Sequence, residues 1–243
     1  MVTGGGGGAN EQYFSYVLNC LSRAIELSPD WSYPHARILA MMTTSITMGY
    51  RRAYAPHLDK RETWEKILDQ LEPPQAASRV LLALSRLAKK GSASAVGSEV
   101  RELLRHQPFD PELRFFSAWH YMYLGESESG LELISSAEKG LKLERYSAPA
   151  LGAKSIAMLM LGQYEQALSE ANMAAKLDPN YLSAYRFNAA ALAHLGRLDE
   201  ARDSLAYLPE GESISSIRSR AGYVSNEATE RMFEGLRMAG LQE

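Results

Sequence analysis

Three Leu-Gly dipeptides divide the second half of this chain, and they constrain its fold more than any other feature. Gly162 and Gly196 are 34 positions apart, and each dipeptide lies between two stretches with apolar residues at helical spacing. Five positions after each glycine stands a residue with little or no side chain. A period of this length is typical of stacked helix pairs that bury their apolar faces against one another. The dipeptides are Leu124-Gly125, Leu161-Gly162 and Leu195-Gly196, and the small residues are Gly130, Ala167 and Ala201.

One repeat can be followed over residues 148–181. Ser155 and Ala167 are small, which predicts that its two antiparallel helices approach most closely there. Gly162 ends the first helix, where the backbone needs a left-handed residue. Pro179 ends the second, because proline cannot continue a helix. The next copy begins at Leu182 and the preceding one at Pro111, in the same register.

Over residues 111–208 these copies resemble the tetratricopeptide repeat family. The resemblance implies an all-α solenoid, a right-handed superhelix of antiparallel helix pairs. Three features depart from the family pattern. Lys154 stands where leucine is usual, Leu208 stands where alanine is usual, and three extra residues lie around residues 143–147, where we expect irregular stacking.

The rest of the chain is predicted to be helical, with no convincing strand. Residues 11–110 read as divergent repeats, with one helix over residues 21–30 and another over 33–48. Apolar residues at helical spacing continue over 63–71, 76–87 and 95–104. Residues 209–243 read as C-terminal capping helices, with an N-cap signal at residues 225–227. Residues 1–10 read as a flexible glycine-rich arm, either native or an artificial start that replaces an upstream domain, and the second is favoured.

The composition excludes several classes of protein. With 46% hydrophobic and 23% charged residues the chain can bury a core, and its net charge of −3 gives no basic surface for nucleic acid. The longest apolar run is too short to cross a bilayer, so no membrane association is expected. One cysteine, Cys20, precludes an intramolecular disulfide and is interpreted as a small buried hydrophobe in an apolar stripe. We therefore expect a cytoplasmic protein.

No arrangement of residues points to catalysis. The five histidines form no close metal-ligand set, and the serine-rich stretches contain no nucleophile motif. Sequence does not exclude a site assembled in space, but we predict no enzyme, no cofactor and no metal. The histidines are His35, His57, His106, His120 and His194.

Partner binding is the function that the resemblance implies. In tetratricopeptide repeats, defined positions of each first helix face the concave side, and here they carry aromatic, methionine and charged side chains that suit a protein or peptide partner. The alternative for Phe115 and Trp119 is packing against a neighbouring repeat. The predicted partner-binding residues are Glu112, Phe115, Trp119, Met122, Tyr123, Ile156, Met160, Arg186 and His194.

Residues 189–201 and 234–241 carry a narrower resemblance. They look like the repeat-bearing C-terminal regions of proteobacterial multidomain regulators, which include adenylate cyclase-like proteins and winged-helix transcription regulators. The chain is therefore expected to be a non-enzymatic interaction module, the regulatory part of a bacterial signalling or transcription regulator. The alternative is a C-terminal fragment of a cyclase-like enzyme or DNA-binding regulator without its active domain. A homodimer through the exposed edge of the N-terminal helix is a further expectation.

Overall fold

A computed structural model of the chain describes residues 6–48, 66–67, 70–71, 79–80, 83, 93–140, 147–221 and 223–243. Eleven α-helices have their bounds described, residues 66–67, 70, 79–80 and 83 are also helical, and no strand occurs among the described residues, which confirms the all-α prediction. The helices are α1 (Gly6–Leu27), α2 (Ser32–Met48), α3 (Ala93–His106), α4 (Pro111–Leu124), α5 (Ser127–Glu138), α6 (Ser147–Met160), α7 (Tyr164–Leu177), α8 (Leu182–His194), α9 (Leu198–Leu205), α10 (Ile214–Ala221) and α11 (Glu227–Ala239).

Three helix pairs, α4–α5, α6–α7 and α8–α9, form the tetratricopeptide-like repeats. Their helices meet at the small residues that the register predicted. The hydroxyl of Ser155 on α6 donates a hydrogen bond of 2.7 Å to the carbonyl oxygen of Ala167 on α7, and both residues are fully buried. On α5, a β-carbon added to Gly130 would stand 3.2 Å from the carbonyl oxygen of Ala118. A larger residue at these crossings would push the helices apart.

The turn inside each repeat ends the first helix in the same way. Gly125, Gly162 and Gly196 have φ angles of 80°, 77° and 76°, in the left-handed region that favours glycine. Each glycine N–H donates a hydrogen bond of 3.0 Å to the carbonyl three residues earlier, and the next residue donates to a carbonyl five residues before it. This is the Schellman arrangement, which satisfies the last carbonyl groups of a helix. The same turn therefore recurs at the three predicted glycines, and the last two of them are 34 residues apart.

Two departures from the family pattern have a structural reason. The ammonium group of Lys154 on α6 forms an ion pair with Glu138 on α5, so the lysine joins two repeats through its charge. Leu208 lies beyond α9, which ends at Leu205 and is shorter than the second helix of the preceding repeat. Position 208 therefore lies outside the helix, and the alanine that is usual there is not required. Of the three extra residues predicted around 143–147, those before Ser147 lie outside the described residues.

Consecutive repeats stack through Tyr181, which precedes α8. Its ring lies against Gly152 on α6, in the space that a β-carbon there would occupy, and its side chain is fully buried. One hydrophobic cluster then continues from Val80 to Ala239 through all three repeats. The repeats therefore share a single core.

The N-terminal helices α1 and α2 pack as a further antiparallel pair around Ile38. An ion pair of 2.6 Å between Arg37 on α2 and Glu112 on α4 connects them to the repeats. The prediction that Cys20 is buried is wrong: its side chain is exposed, because α2 covers the opposite side of α1. α1 begins at Gly6, inside the predicted arm, so the end of that arm is helical. The predicted helices over 63–71 and 76–87 lie almost entirely outside the described residues.

Candidate partner-binding surface

The first helices of the three repeats, α4, α6 and α8, contact one another in sequence and form a common surface, here called the first-helix face. Residues 209–243, here called the C-terminal segment, lie across it. Helix α11 packs mainly on α8 and also contacts α6 and α4, while α10 lies between α11 and α2. The chain's own C-terminal segment therefore covers part of the surface that the sequence predicts for a partner.

The C-terminal segment binds the carbonyl ends of two first helices. The backbone N–H of Val224 donates 3.0 Å to the carbonyl oxygen of Tyr123, and the side-chain amide of Asn226 donates 2.7 Å to that of Leu124. The guanidinium of Arg231 donates to the carbonyl oxygen of Met160 at the end of α6. The last carbonyls of a helix lack intrahelical partners and carry the negative end of its dipole, so donors and a cation are stabilised there.

Helix α11 has its own start and stop signals. The Asn226 side chain accepts 3.1 Å from the backbone N–H of Thr229, whose hydroxyl accepts from the backbone N–H of Asn226, which forms a reciprocal cap. Gly240 ends the helix with a φ angle of 103°. The apolar side of α11 is fully buried or nearly so, through Met232, Phe233, Leu236 and Ala239.

Gly235 allows the backbone of α11 to lie directly against the backbone of α8. A β-carbon on Gly235 would stand 2.7 Å from the carbonyl oxygen and 2.9 Å from the Cα of Ala190, closer than side chains approach backbone atoms. One turn further along α8, His194 Nε2 lies 2.7 Å from the carbonyl oxygen of Arg231, so in this tautomer its N–H donates to that oxygen. The His194 ring also stacks on Tyr164, with centroids 4.4 Å apart. A glycine inside a helix here reflects close helix contact.

A buried ion pair connects α8 to the loop before α10. The guanidinium of Arg186 lies 3.1 Å from the carboxylate of Glu212, and each side chain is 3% exposed. Nearby, the ring of Tyr223 packs edge-on against Tyr123 at 4.9 Å and against Phe233 at 5.4 Å. Burial raises the pKa of the Tyr223 phenol well above its ordinary value, and Tyr123 raises it further. The C-terminal segment therefore covers a charge as well as apolar surface.

The structure places most of the predicted partner-binding residues in the interior. Four of them touch the C-terminal segment: Tyr123, Met160, Arg186 and His194. Met122 packs against Gly130, and Glu112 is engaged by Arg37. Their role toward a separate partner stays a prediction. The buried members of the set are Phe115, Trp119, Met122, Tyr123, Ile156, Met160 and Arg186.

Three residues at this surface have no counterpart in the predicted site: Asn226, Arg231 and Gly235. Asn226 was recognisable as a helix cap, and the apolar side of α11 as a packing face. The glycine inside an otherwise helical pattern was the remaining signal, because such a glycine costs helix stability unless close packing requires it. The spacing of apolar residues in α11 does not indicate which helices it contacts.

His120 on α4 is a fully buried titratable group outside this surface. Neither ring nitrogen has a hydrogen-bond partner, and burial, with a smaller effect from the Arg101 charge, lowers its pKa to about 4. Among the residues that the structure describes, no three His, Cys, Asp or Glu side chains are grouped so as to hold a metal ion. None of the helices in the described ranges is both long and apolar enough to cross a membrane.

Comparison with known proteins gives a likeness in solved structures alone. No protein-family model and no curated protein matches the chain. A solved structure of a MamA mutant is similar to 72% of this chain and 94% of its own length, with 12% sequence identity and a TM-score of 0.45. The repeated turns of this chain and the helix crossings at small residues identify its fold as tetratricopeptide-like.

Proposed function

We propose that this chain is a non-enzymatic protein-interaction module whose first-helix face, the concave side expected of such repeats, receives a helical segment of a protein or peptide partner. The observation that supports the proposal is α11 itself. An amphipathic helix lies across three successive first helices, with its apolar side buried and its donors on helix-end carbonyls. A surface that holds a helix in this way has the shape and polarity to hold another.

Selection from a displayed library of helical peptides against the full chain tests this proposal. Amphipathic helices should be enriched, and His194→Ala should weaken their binding while the chain keeps its helical circular dichroism. Arg202→Ala is the control, because Arg202 is exposed on the second helix α9 and pairs with Asp199. The proposal fails if no peptide is enriched, or if the Arg202 variant weakens binding as much as His194→Ala does.

The wider role that we propose is that of a cytoplasmic regulatory part of a bacterial signalling or transcription regulator. Its support is the resemblance of residues 189–201 and 234–241 to the repeat regions of such proteins. A cyclase-like or DNA-binding domain encoded upstream in the same reading frame would support this role. A reading frame without either domain would count against it.

A further inference from the structure

We infer that the first-helix face recognises one kind of helix, of which α11 is the resident example. Such a helix carries an N-terminal Asn cap, an Arg five residues after the cap, a Gly nine residues after it, and apolar residues beside the Gly. A partner helix with this pattern exchanges with α11. This inference rests on the proposed function and adds the chemistry of the partner.

The spacing of the two polar groups matches the spacing of the repeats. Asn226 reaches the end of α4 and Arg231 the end of α6, so one turn and a half of α11 spans one repeat step. The turn glycine Gly125 makes room for the Asn226 side chain, because a β-carbon on Gly125 would overlap the Asn226 amide. A β-carbon on Gly162 would lie 4.0 Å from the Arg231 guanidinium, which is an ordinary contact distance. The spacing of these two hydrogen-bond donors along the helix therefore matches the distance between consecutive repeats.

Gly235 is required because α11 also packs against α8, the first helix of the third repeat. Gly235 lies on the backbone of α8 at Ala190, and any side chain there would collide with main-chain atoms that have no rotamer to move. The neighbouring residue Glu234 is exposed, so the face discriminates between adjacent positions of the same helix. A partner without a glycine at this position would be held further from α8 and would lose the contacts that flank it.

Charged side chains add to the apolar contacts that hold α11 on the first-helix face. Arg218 on α10 pairs with Glu230 at 2.6 Å and lies over the Phe233 ring at 3.8 Å, while Glu227 and Glu234 are exposed. A helix joined to its own binding surface competes at an effective concentration on the order of millimolar. A separate helix therefore binds the wild-type chain more weakly than a chain in which α11 is released, because its apparent affinity is multiplied by the fraction of chains whose face is open.

The test uses the full chain with α11 unseated by Gly235→Leu and, as the matched control, Glu234→Leu, which places the same side chain at the adjacent exposed position. The probe is a fluorescent peptide of residues 223–243. We expect the peptide to bind the Gly235→Leu chain at least about tenfold more tightly than the wild-type or Glu234→Leu chain. Amide hydrogen exchange should show α11 released in the first variant alone. A peptide carrying Gly235→Leu itself should not bind.

Failure to bind the Gly235→Leu chain, with its repeats folded and α11 released, would overturn the inference. Equal binding of the peptide that carries Gly235→Leu would do the same. If Gly235→Leu unfolds the repeats, a chain with Asn226→Ala and Arg231→Ala removes two donors without adding volume, and the same tenfold gain is expected. If that chain also unfolds, α11 belongs to the folding unit and the inference falls. Displayed peptides that bind the first-helix face without the Asn, Arg and Gly pattern would leave the proposed function standing and sink this inference alone.

Discussion

The ring of Tyr181 lies on Gly152 in the space that a side chain at that position would need. Tyr181 precedes α8 and Gly152 belongs to α6, so this contact sets the distance between two repeats. The ring can lie this close to α6 because Gly152 has no side chain. A closely packed interior tolerates little added volume at such a position.

Gly152→Ala should therefore destabilise the chain although alanine favours helices. We expect the free energy of unfolding to fall by about 1–3 kcal/mol, because the tyrosine ring must leave its position. Gly97→Ala is the matched control: it is also a helical glycine, but its added β-carbon would meet only side-chain atoms at 3.4 Å or more. That variant should be neutral or more stable by about 0.5–1 kcal/mol. Urea unfolding of both variants checks the prediction, and equal effects would contradict it.

Trp31 and Tyr181 occupy equivalent turns with unequal surroundings. The backbone N–H of Trp31 donates 3.1 Å to the carbonyl of Ser28, and that of Tyr181 donates 3.0 Å to the carbonyl of Asp178. Trp31 is nevertheless 49% exposed, whereas Tyr181 is fully buried. Tyr181→Ala should cost about 3–5 kcal/mol, as for other large buried side chains. Trp31→Ala should cost less than about 1 kcal/mol. Thermal melts of the two variants test this, and a larger loss from Trp31→Ala than from Tyr181→Ala would contradict the predicted effect of burial.

The sequence predicts a homodimer through the exposed edge of the N-terminal helix. If Trp31, which follows that helix, contributes to the contact between two copies, the same variant has a second consequence. The mass measured by light scattering should then fall from that of a dimer to that of a monomer. A wild-type chain that is monomeric at high concentration would end the homodimer hypothesis.

Local features of the repeats could be predicted from the sequence, because each depends on residues close together in the chain. Gly162 as a turn and Ser155 with Ala167 as a crossing follow from one repeat and its period. The contacts of the C-terminal segment could not be predicted in this way. Asn226 binds a carbonyl 102 positions earlier, and no periodic signal joins two such sites. The exposure of Cys20 was missed for a related reason: an apolar stripe does not tell which side of a helix its neighbour covers.

The crossing at Ser155 and Ala167 gives a prediction that follows from the sequence and the structure alike. Ala167→Leu should force α6 and α7 apart and lower the free energy of unfolding by about 1–3 kcal/mol. Gln166→Leu adds a similar side chain at the adjacent exposed position and should change stability by less than about 0.5 kcal/mol. Chemical denaturation measures both. No difference between the two variants would mean that this crossing is not the point of closest approach.

His120 should make stability depend on pH. The folded-state pKa of His120 is about 4, below the ordinary value near 6.5. Between these pH values His120 is therefore protonated in the unfolded chain and neutral in the folded chain. Stability is therefore lost as the pH falls through this window. Between pH 7 and pH 5 the wild-type chain should lose about 2 kcal/mol more than His120→Leu. His106→Leu, which removes an exposed histidine, is the comparison variant. Urea titrations at the two pH values test this, and parallel losses in all three chains would exclude His120 as the cause.

The buried pair of Arg186 and Glu212 separates a binding role for Arg186 from a structural one. Both side chains are 3% exposed, so Arg186→Met leaves the Glu212 carboxylate in the interior without the guanidinium charge, although Ser216 still donates a hydrogen bond of 2.9 Å to it. The free energy of unfolding should fall by about 3–5 kcal/mol, and adding Glu212→Leu should restore most of it, because an apolar pair of similar volume avoids the cost of burying charges. Arg202→Met, which breaks the exposed pair with Asp199, should cost less than about 1 kcal/mol. Urea, which leaves ionic strength unchanged, is the suitable denaturant. An Arg186→Met chain as stable as the Arg202 variant would show that the C-terminal segment does not depend on this pair.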